Sequence, residues 1–283
     1  MPDRGVSGGS SPLKSAEPDR GVFVGVAHGS ADPRAAAAIG GLVPLVAARA
    51  AARGLNVPEL HVAYLGHAAP SLPQVMRAFG PGARVTVLPL LLTAAYHSKT
   101  DIPRVLARAG AGMRITYGDP LGPHPLLLRA LERRLFEETL PEVALENPAE
   151  VGVVLAAAGS SDPAANATIA RLAAQWQAGT GWFAVRPAYA SGGQGSPAAA
   201  GGQGSPAGPT PAQAVTELRK AGARRVVVAS YLLAPGLFAD RIREASLAAG
   251  AAAVSPALGA APEVADVILD RYQAAETWLR TAA

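Results

Sequence analysis

Val26-Ala27-His28-Gly29-Ser30-Ala31-Asp32-Pro33 reads against Ala156-Ala157-Ala158-Gly159-Ser160-Ser161-Asp162-Pro163, 130 residues further on. In each stretch an apolar run ends at a Gly-Ser turn, after which Ser30 or Asp32, with Asp162 repeating the pattern, can cap a helix that has the following Pro in its first turn. Each is therefore a strand-to-helix junction, and the chain contains it twice. Working outward, Leu91-Leu92-Thr93-Ala94-Ala95-Tyr96-His97 reads against Leu232-Leu233-Ala234-Pro235-Gly236-Leu237-Phe238 at an offset of 141, and Leu121-Gly122-Pro123 against Leu258-Gly259-Ala260 at 137. The one large jump, from 125 at Tyr64/Tyr189 to 139 at Pro70/Pro209, coincides with the Gly/Gln/Ser/Pro-rich stretch Ser191–Gly208. An offset that shifts mainly where an insertion is visible marks a duplicated unit.

Each unit alternates apolar runs with helix signals, which predicts an α/β fold of two tandem related domains. Each domain is a parallel sheet of about four strands flanked by helices, with the active-site cleft between them. Strands are expected near Val22–Ala27, Leu60–Leu65, Val85–Leu92 and Met113–Tyr117. In the second unit they are expected near Val151–Ala156, Trp182–Ala188, Arg225–Leu233 and Ala252–Pro256. These are continuous apolar runs of the kind parallel sheets bury on both faces. The first helix is expected through Ala35–Arg53, stopping at Gly54. Residues 1–20 read as a disordered tail, 21–140 as the first domain, 141–150 as a linker, and 151–283 as a degenerate second domain. Residues 191–208 read as a flexible insertion, because Gly-Gly-Gln-Gly-Ser-Pro-Ala, present at Gly192–Ala198 and again at Gly201–Ala207, buries too little apolar surface to repay ordering.

The 283 residues exceed one usual core, and 49% hydrophobic against 16% charged residues is a globular composition. A net charge of +4 without a basic run argues against nucleic acid while leaving an acidic small molecule open. With no cysteine, disulfides, thiolate metal sites and cysteine-held iron–sulfur clusters are excluded, and a protein-held metal must use His, Asp or Glu. No secretory h-region precedes Asp19 and no uninterrupted apolar stretch reaches bilayer length, so the expectation is a cytoplasmic protein without a membrane partner.

The histidines break the symmetry of the repeat. His28 and His97 each follow the carboxyl end of a strand, where open α/β sheets hold ligands, while their counterparts are Ala158 and Phe238. The fold itself does not need histidine at these places. Two neutral imidazoles converging there suit a divalent ion of the later first transition row. His67, after the second strand, is a third candidate at the same sheet edge; His61 reads as structural and His124 as a loop or capping residue. Phosphate loops are not supported: neither G-x-G-x-x-G nor G-x-x-x-x-G-K-[ST] occurs, and no G-x-S-x-G elbow surrounds Ser30.

A strand ending in His28-Gly29-Ser30, a second followed by Ala68-Ala69-Pro70-Ser71-Leu72-Pro73, and a third ending in Pro89-Leu90-Leu91-Leu92 with His97 and Asp101-Ile102-Pro103 beyond it resemble the sirohydrochlorin chelatase/cobaltochelatase family. The resemblance covers the first unit closely and the second as a degenerate copy, in the long, fused form of that family. It implies a lyase that inserts Fe2+ or Co2+ into sirohydrochlorin or a related polycarboxylated tetrapyrrole, in sirohaem or cobalamin synthesis. It also implies no ATP and no cofactor beyond the substrate metal, with the chain a monomer or homodimer. By the same resemblance His28 and His97 are the metal-binding and catalytic pair, and Leu92, Thr93, Ala94, Ala95, Tyr96, His67 and Lys99 contact the ring. Gly66 stands where many members have a carboxylate. Arg34, Arg104 and Lys99 are candidate partners for the ring's carboxylates. A non-catalytic metal or tetrapyrrole carrier of the same fold is the alternative.

Overall fold

The computed structural model describes residues 21–139, 147–191 and 208–282. Eight strands form two four-stranded sheets, both wholly parallel. The first, in the order β2-β1-β3-β4, contains β1 (Val22–Ala27), β2 (Leu60–Tyr64), β3 (Arg84–Pro89) and β4 (Arg114–Tyr117). The second, β6-β5-β7-β8, contains β5 (Val151–Ala157), β6 (Ala184–Tyr189), β7 (Arg225–Tyr231) and β8 (Ala253–Val254). The repeat is kept in the ladders. Val26 pairs with Ala63 as Ala156 pairs with Ala188, and Gly25 with Leu88 as Leu155 with Ala229. Equivalent strands thus meet at the offsets of 130, 125 and 141 read from the sequence.

Alternate strand residues face opposite helix layers. Val22, Val24 and Val26 pack beneath α3 (Leu72–Phe79) and α4 (Ile102–Ala109), against Leu72, Val75, Met76, Ile102 and Leu106. Val154, Ala156, Val226 and Val228 do the same beneath α7 (Pro211–Lys220) and α8 (Leu237–Ala248). The opposite faces, carrying Phe23, Leu88, Val153, Leu155 and Val227, share one central core. That core also takes in α1 (Pro33–Gly40), α2 (Leu42–Ala52), α5 (Pro125–Thr139), α6 (Pro163–Gly179) and α9 (Pro262–Ala282).

The last helix of each unit lies on the other unit's sheet. Helix α9 packs on β3, β4 and α2, with the Phe23 and Tyr272 ring centroids 4.5 Å apart, Thr86 hydrogen-bonded to Glu276, and Arg49 paired with Asp266 at 2.6 Å. Helix α5 packs on β7 and β8, where Arg134 donates to the Leu258 carbonyl at 2.8 Å and Glu132 accepts from Trp176 Nε1 at 2.8 Å. These helices thus cross between the two sheets.

Three expectations change. The helix foreseen through Ala35–Arg53 is two helices, broken at Gly41. By length and composition Pro33–Ala52 is also apolar enough to cross a bilayer, contrary to the reading that no stretch reaches that length. Here its Ile39, Leu42, Val46 and Ala50 face is in the core, and Arg49 and Arg53 at its end are ion-paired to α9. The third strand ends at Pro89 rather than Leu92, which frees residues 90–96 to leave the sheet. The expected tail, Ser191–Gly208 apart from its two end residues, residue 140 and residues 141–146 of the linker lie outside the described residues.

Candidate functional site

The carboxyl ends of both sheets open into one cleft of about 1000 Å³, at the upper end of the size of small-molecule sites. The first sheet contributes His28–Asp32, Tyr64, His67, Leu90–Thr93 and Ala95–His97. The second contributes Ala157–Ser161 and Tyr231–Asp240. A separate cavity of about 380 Å³ lies at the amino ends of the first sheet's strands, beside α9, and contains none of the candidate residues.

His28 sits where β1 stops. The chain must turn at Gly29, whose φ of +91° favours glycine and whose Cβ would lie 1.7 Å from the Gly66 carbonyl oxygen. The His28 carbonyl then accepts from the Gly66 amide at 3.1 Å, which joins the loops after β1 and β2. His97 reaches the same place from β3. It opens a π-turn, His97–Asp101, leading directly into α4. The two imidazole centroids lie 4.4 Å apart with their planes tilted by 44°.

Burial is the main cause that lowers the His28 pKa below its ordinary value, and the neighbouring His97 and His67 lower it further against a smaller opposing pull from Asp101. His28 is therefore held neutral, with a lone pair for a metal or a proton. His97 Nδ1 lies 2.7 Å from Asp101 Oδ2. With that nitrogen donating to the carboxylate, the ring keeps its Nε2 lone pair free, the orientation that carboxylate-backed metal ligands use. Sequence reading quoted Asp101 but gave it no role, and the i, i+4 spacing from His97 was the available signal. Among the described residues no cluster of three or more His, Asp or Glu forms a ready-made metal site.

Of the other candidates, Leu92, Thr93, Ala95, Tyr96 and His67 line the cleft, and Tyr96 is 55% exposed. Ala94 and Lys99 do not line it. Ala94 points to solvent, and Lys99 forms an ion pair with Asp162 at 3.0 Å. Arg34 pairs with Asp32 and with Asp240, and Arg104 is exposed on α4 away from the cleft. His61 packs tilted against Phe79 and His124 lies near Asp270, both outside the cleft. The opposing wall is apolar at the equivalent places. Ala158 stands where a symmetric cleft would have a second His28, and Leu237 and Phe238, 61% and 43% exposed, stand at the places equivalent to Tyr96 and His97. Buried Tyr231 ties the walls together by donating to the Leu92 carbonyl at 3.1 Å.

Comparison with known proteins places this arrangement among relatives. The CbiX family model matches residues 22–138 and 205–275. A sirohydrochlorin cobaltochelatase of Priestia megaterium is 29% identical over 164 residues, 56% of this chain and 48% of that protein. A sirohydrochlorin ferrochelatase of the same organism is 27% identical over 198 residues, 68% of this chain and 67% of that protein. The chain thus spans about half the length of the first and two thirds of the second. Among solved structures, SirB from Bacillus subtilis with Fe3+ superposes with a TM-score of 0.72 over 90% of this chain and 95% of that one, at 23% identity. CbiX, described as the terminal enzyme of sirohaem biosynthesis in denitrifying bacteria, gives 0.61 at 20% identity over 90% of this chain and 99% of that one. At those identities the likeness is one of fold.

Proposed function

The chain belongs to the CbiX family, and from that premise we propose that it inserts Fe2+ or Co2+ into sirohydrochlorin or a closely related polycarboxylated tetrapyrrole, without ATP, in sirohaem or cobalamin synthesis. The observation that carries the reading is the pair of imidazoles 4.4 Å apart on one wall of a cleft whose other wall has Ala158 and Phe238 at the equivalent places. A flat ring presents its nitrogens to the imidazole wall and rests its other face on Ala158, Leu237 and Phe238. The incoming metal must lose water while two pyrrole N–H groups lose protons. Neutral His28 can hold the ion or take a proton, and His97, backed by Asp101, can do the same beside it on the same wall. Confining ion and ring together supplies the orientation that the bimolecular reaction in water lacks.

Leu92, Thr93, Ala95 and Tyr96 are assigned to the ring's edge, and His67 to the space left by the carboxylate absent at Gly66. Mixing the protein with sirohydrochlorin and Fe2+ or Co2+ and following the visible spectrum tests the proposal. Catalysed conversion to the metallated ring supports it. Stoichiometric binding without turnover would instead make the protein a carrier.

A further inference from the structure

Two ion pairs cross the cleft between the units. Arg34, at the start of α1, meets Asp240 in the first turn of α8, at 2.6 Å and 3.3 Å. Lys99, in the π-turn after β3, meets Asp162, the N-cap of α6, at 3.0 Å. Asp32 and Asp240 line the cleft themselves, while Asp162 adjoins lining Ser161 and Lys99 lies two residues beyond lining His97. Both bridges therefore stand at its rim.

The bridges occupy equivalent places in the repeat. Asp162 answers to Asp32 at the offset of 130, and Asp240 answers to Lys99 at 141. In each, the junction after the first strand of one unit reaches the segment after the third strand of the other. A symmetric repeat would swap the sign of charge between the two bridges, yet here the first unit supplies the cation in both. When the bridges open, the histidine wall presents Lys99 and Arg34, the latter still paired with Asp32, and the opposing wall presents two carboxylates.

We infer that Arg34 and Lys99 are carboxylate-binding groups of the ring site, held in reserve by Asp240 and Asp162, which the substrate's own carboxylates displace. This rests on the reading of the substrate as a polycarboxylated ring. The exchange is cheap because the pairs are wet: Arg34, Asp240 and Lys99 side chains are all more than half exposed, and exposed pairs are weakly held. It is also directional. Carboxylates on the ring are drawn toward the histidine wall and repelled by the two aspartates, so the bridges favour rings with many acidic arms over rings with few.

The test uses the whole chain and a metal-free probe, uroporphyrin I, which has eight carboxylates, titrated by fluorescence. Asp162→Asn releases Lys99, and Asn keeps the cap of α6, while Asp240→Asn leaves Arg34 held by Asp32 alone. Each variant should bind uroporphyrin about 3-fold more tightly, and the double variant about 10-fold, at low salt, in keeping with exposed pairs. The gain should vanish for deuteroporphyrin, which has two carboxylates, and in high salt. Lys99→Gln should weaken uroporphyrin binding more in the Asp162→Asn background than in the unaltered chain, a coupling that a purely structural pair would not produce. Unchanged or weaker binding by the aspartate variants overturns the inference while leaving the substrate class intact. Failure of the unaltered chain to bind uroporphyrin at all overturns the substrate class, and this inference with it.

Discussion

Replacing Asp101 by Asn isolates what the carboxylate does for His97. Asp101 Oδ2 lies 2.7 Å from His97 Nδ1, and an ionised carboxylate can only accept, so the proton stays on Nδ1 and the Nε2 lone pair stays available. An Asn side chain of the same shape can turn its NH2 toward Nδ1, which favours the tautomer with the proton on Nε2 and removes the lone pair the ion needs. Changes behind a metal ligand cost 10–100-fold. Here the His97 and Asp101 side chains are 45% and 31% exposed, so water competes for the contact and the lower end applies, about 10-fold or roughly 1.4 kcal/mol. The assay is kcat/KM for Co2+ at saturating ring, with nitrogen NMR of His97 to read the tautomer. The KM for the ring should hold steady. A variant with unaltered kcat/KM for the metal, or a wild-type His97 protonated on Nε2, would refute the reasoning.

His28→Ala and His97→Ala should each lower insertion on the order of 10²-fold with circular dichroism unchanged, since Ala158 and Phe238 fill those places in the second unit; wild-type rates in both would remove them from the chemistry. Ala158→His should leave the metal stoichiometry unchanged in equilibrium dialysis, because its partner place is Phe238. Gly29→Ala combines a left-handed φ with a Cβ 1.7 Å from a backbone oxygen and should cost about 3 kcal/mol, lowering Tm by roughly 6–12 °C. Gly159→Ala, also at a left-handed φ but with its Cβ meeting the movable Ser191 hydroxyl and the Tyr189 Cβ rather than a backbone oxygen, should cost less, and equal losses in the two would contradict this. Burial is the main cause lowering the pKa of His28, His61 and His124. Between their folded values and the ordinary value near 6.5 the unfolded chain binds more protons, so stability is held above that pH and is lost as pH falls through 6.5 and below. The urea midpoint should drop from pH 7.5 to 5.5 and drop less in His61→Gln; a midpoint that rises on acidification contradicts this.

The fold was legible because parallel strands are buried on both faces and so appear as uninterrupted apolar runs. Their pairing was legible because the repeat offsets are also ladder offsets, as Val26–Ala63 and Ala156–Ala188 demonstrate. The exchange of α5 and α9 was not legible. Both helices carry ordinary amphipathic patterns, and nothing in such a pattern says whose sheet the apolar stripe will meet. At the site, His28 and His97 stood out because their counterparts are apolar. Their approach to 4.4 Å depends on β3 ending at Pro89 and on the π-turn that follows, neither of which hydrophobic periodicity encodes. Lys99 and Arg34 were visible as cations, but their partners Asp162 and Asp240 lie 63 and 206 residues away and are brought near only by the facing of the two sheets.

The exchanged helices bear on whether either unit can stand alone. Without α9, a fragment ending near residue 139 would uncover Phe23, Leu88 and the apolar face of α2, and its own α5 would have no sheet to cover. Such a fragment, expressed by itself, should run as a dimer in which each copy's α5 lies on the other's sheet, and a well-packed monomer by sedimentation would contradict this.

The unlike walls of the cleft have a stereochemical consequence. Two identical walls would receive a ring equally well with either face forward, and half of all encounters would be redundant images of the other half. With imidazoles on one side and Ala158, Leu237 and Phe238 on the other, the two faces of a ring whose substituents differ above and below its plane are no longer interchangeable. In the proposed reaction the metal would then enter from one chirally defined side, a facial preference that two symmetric units could not give.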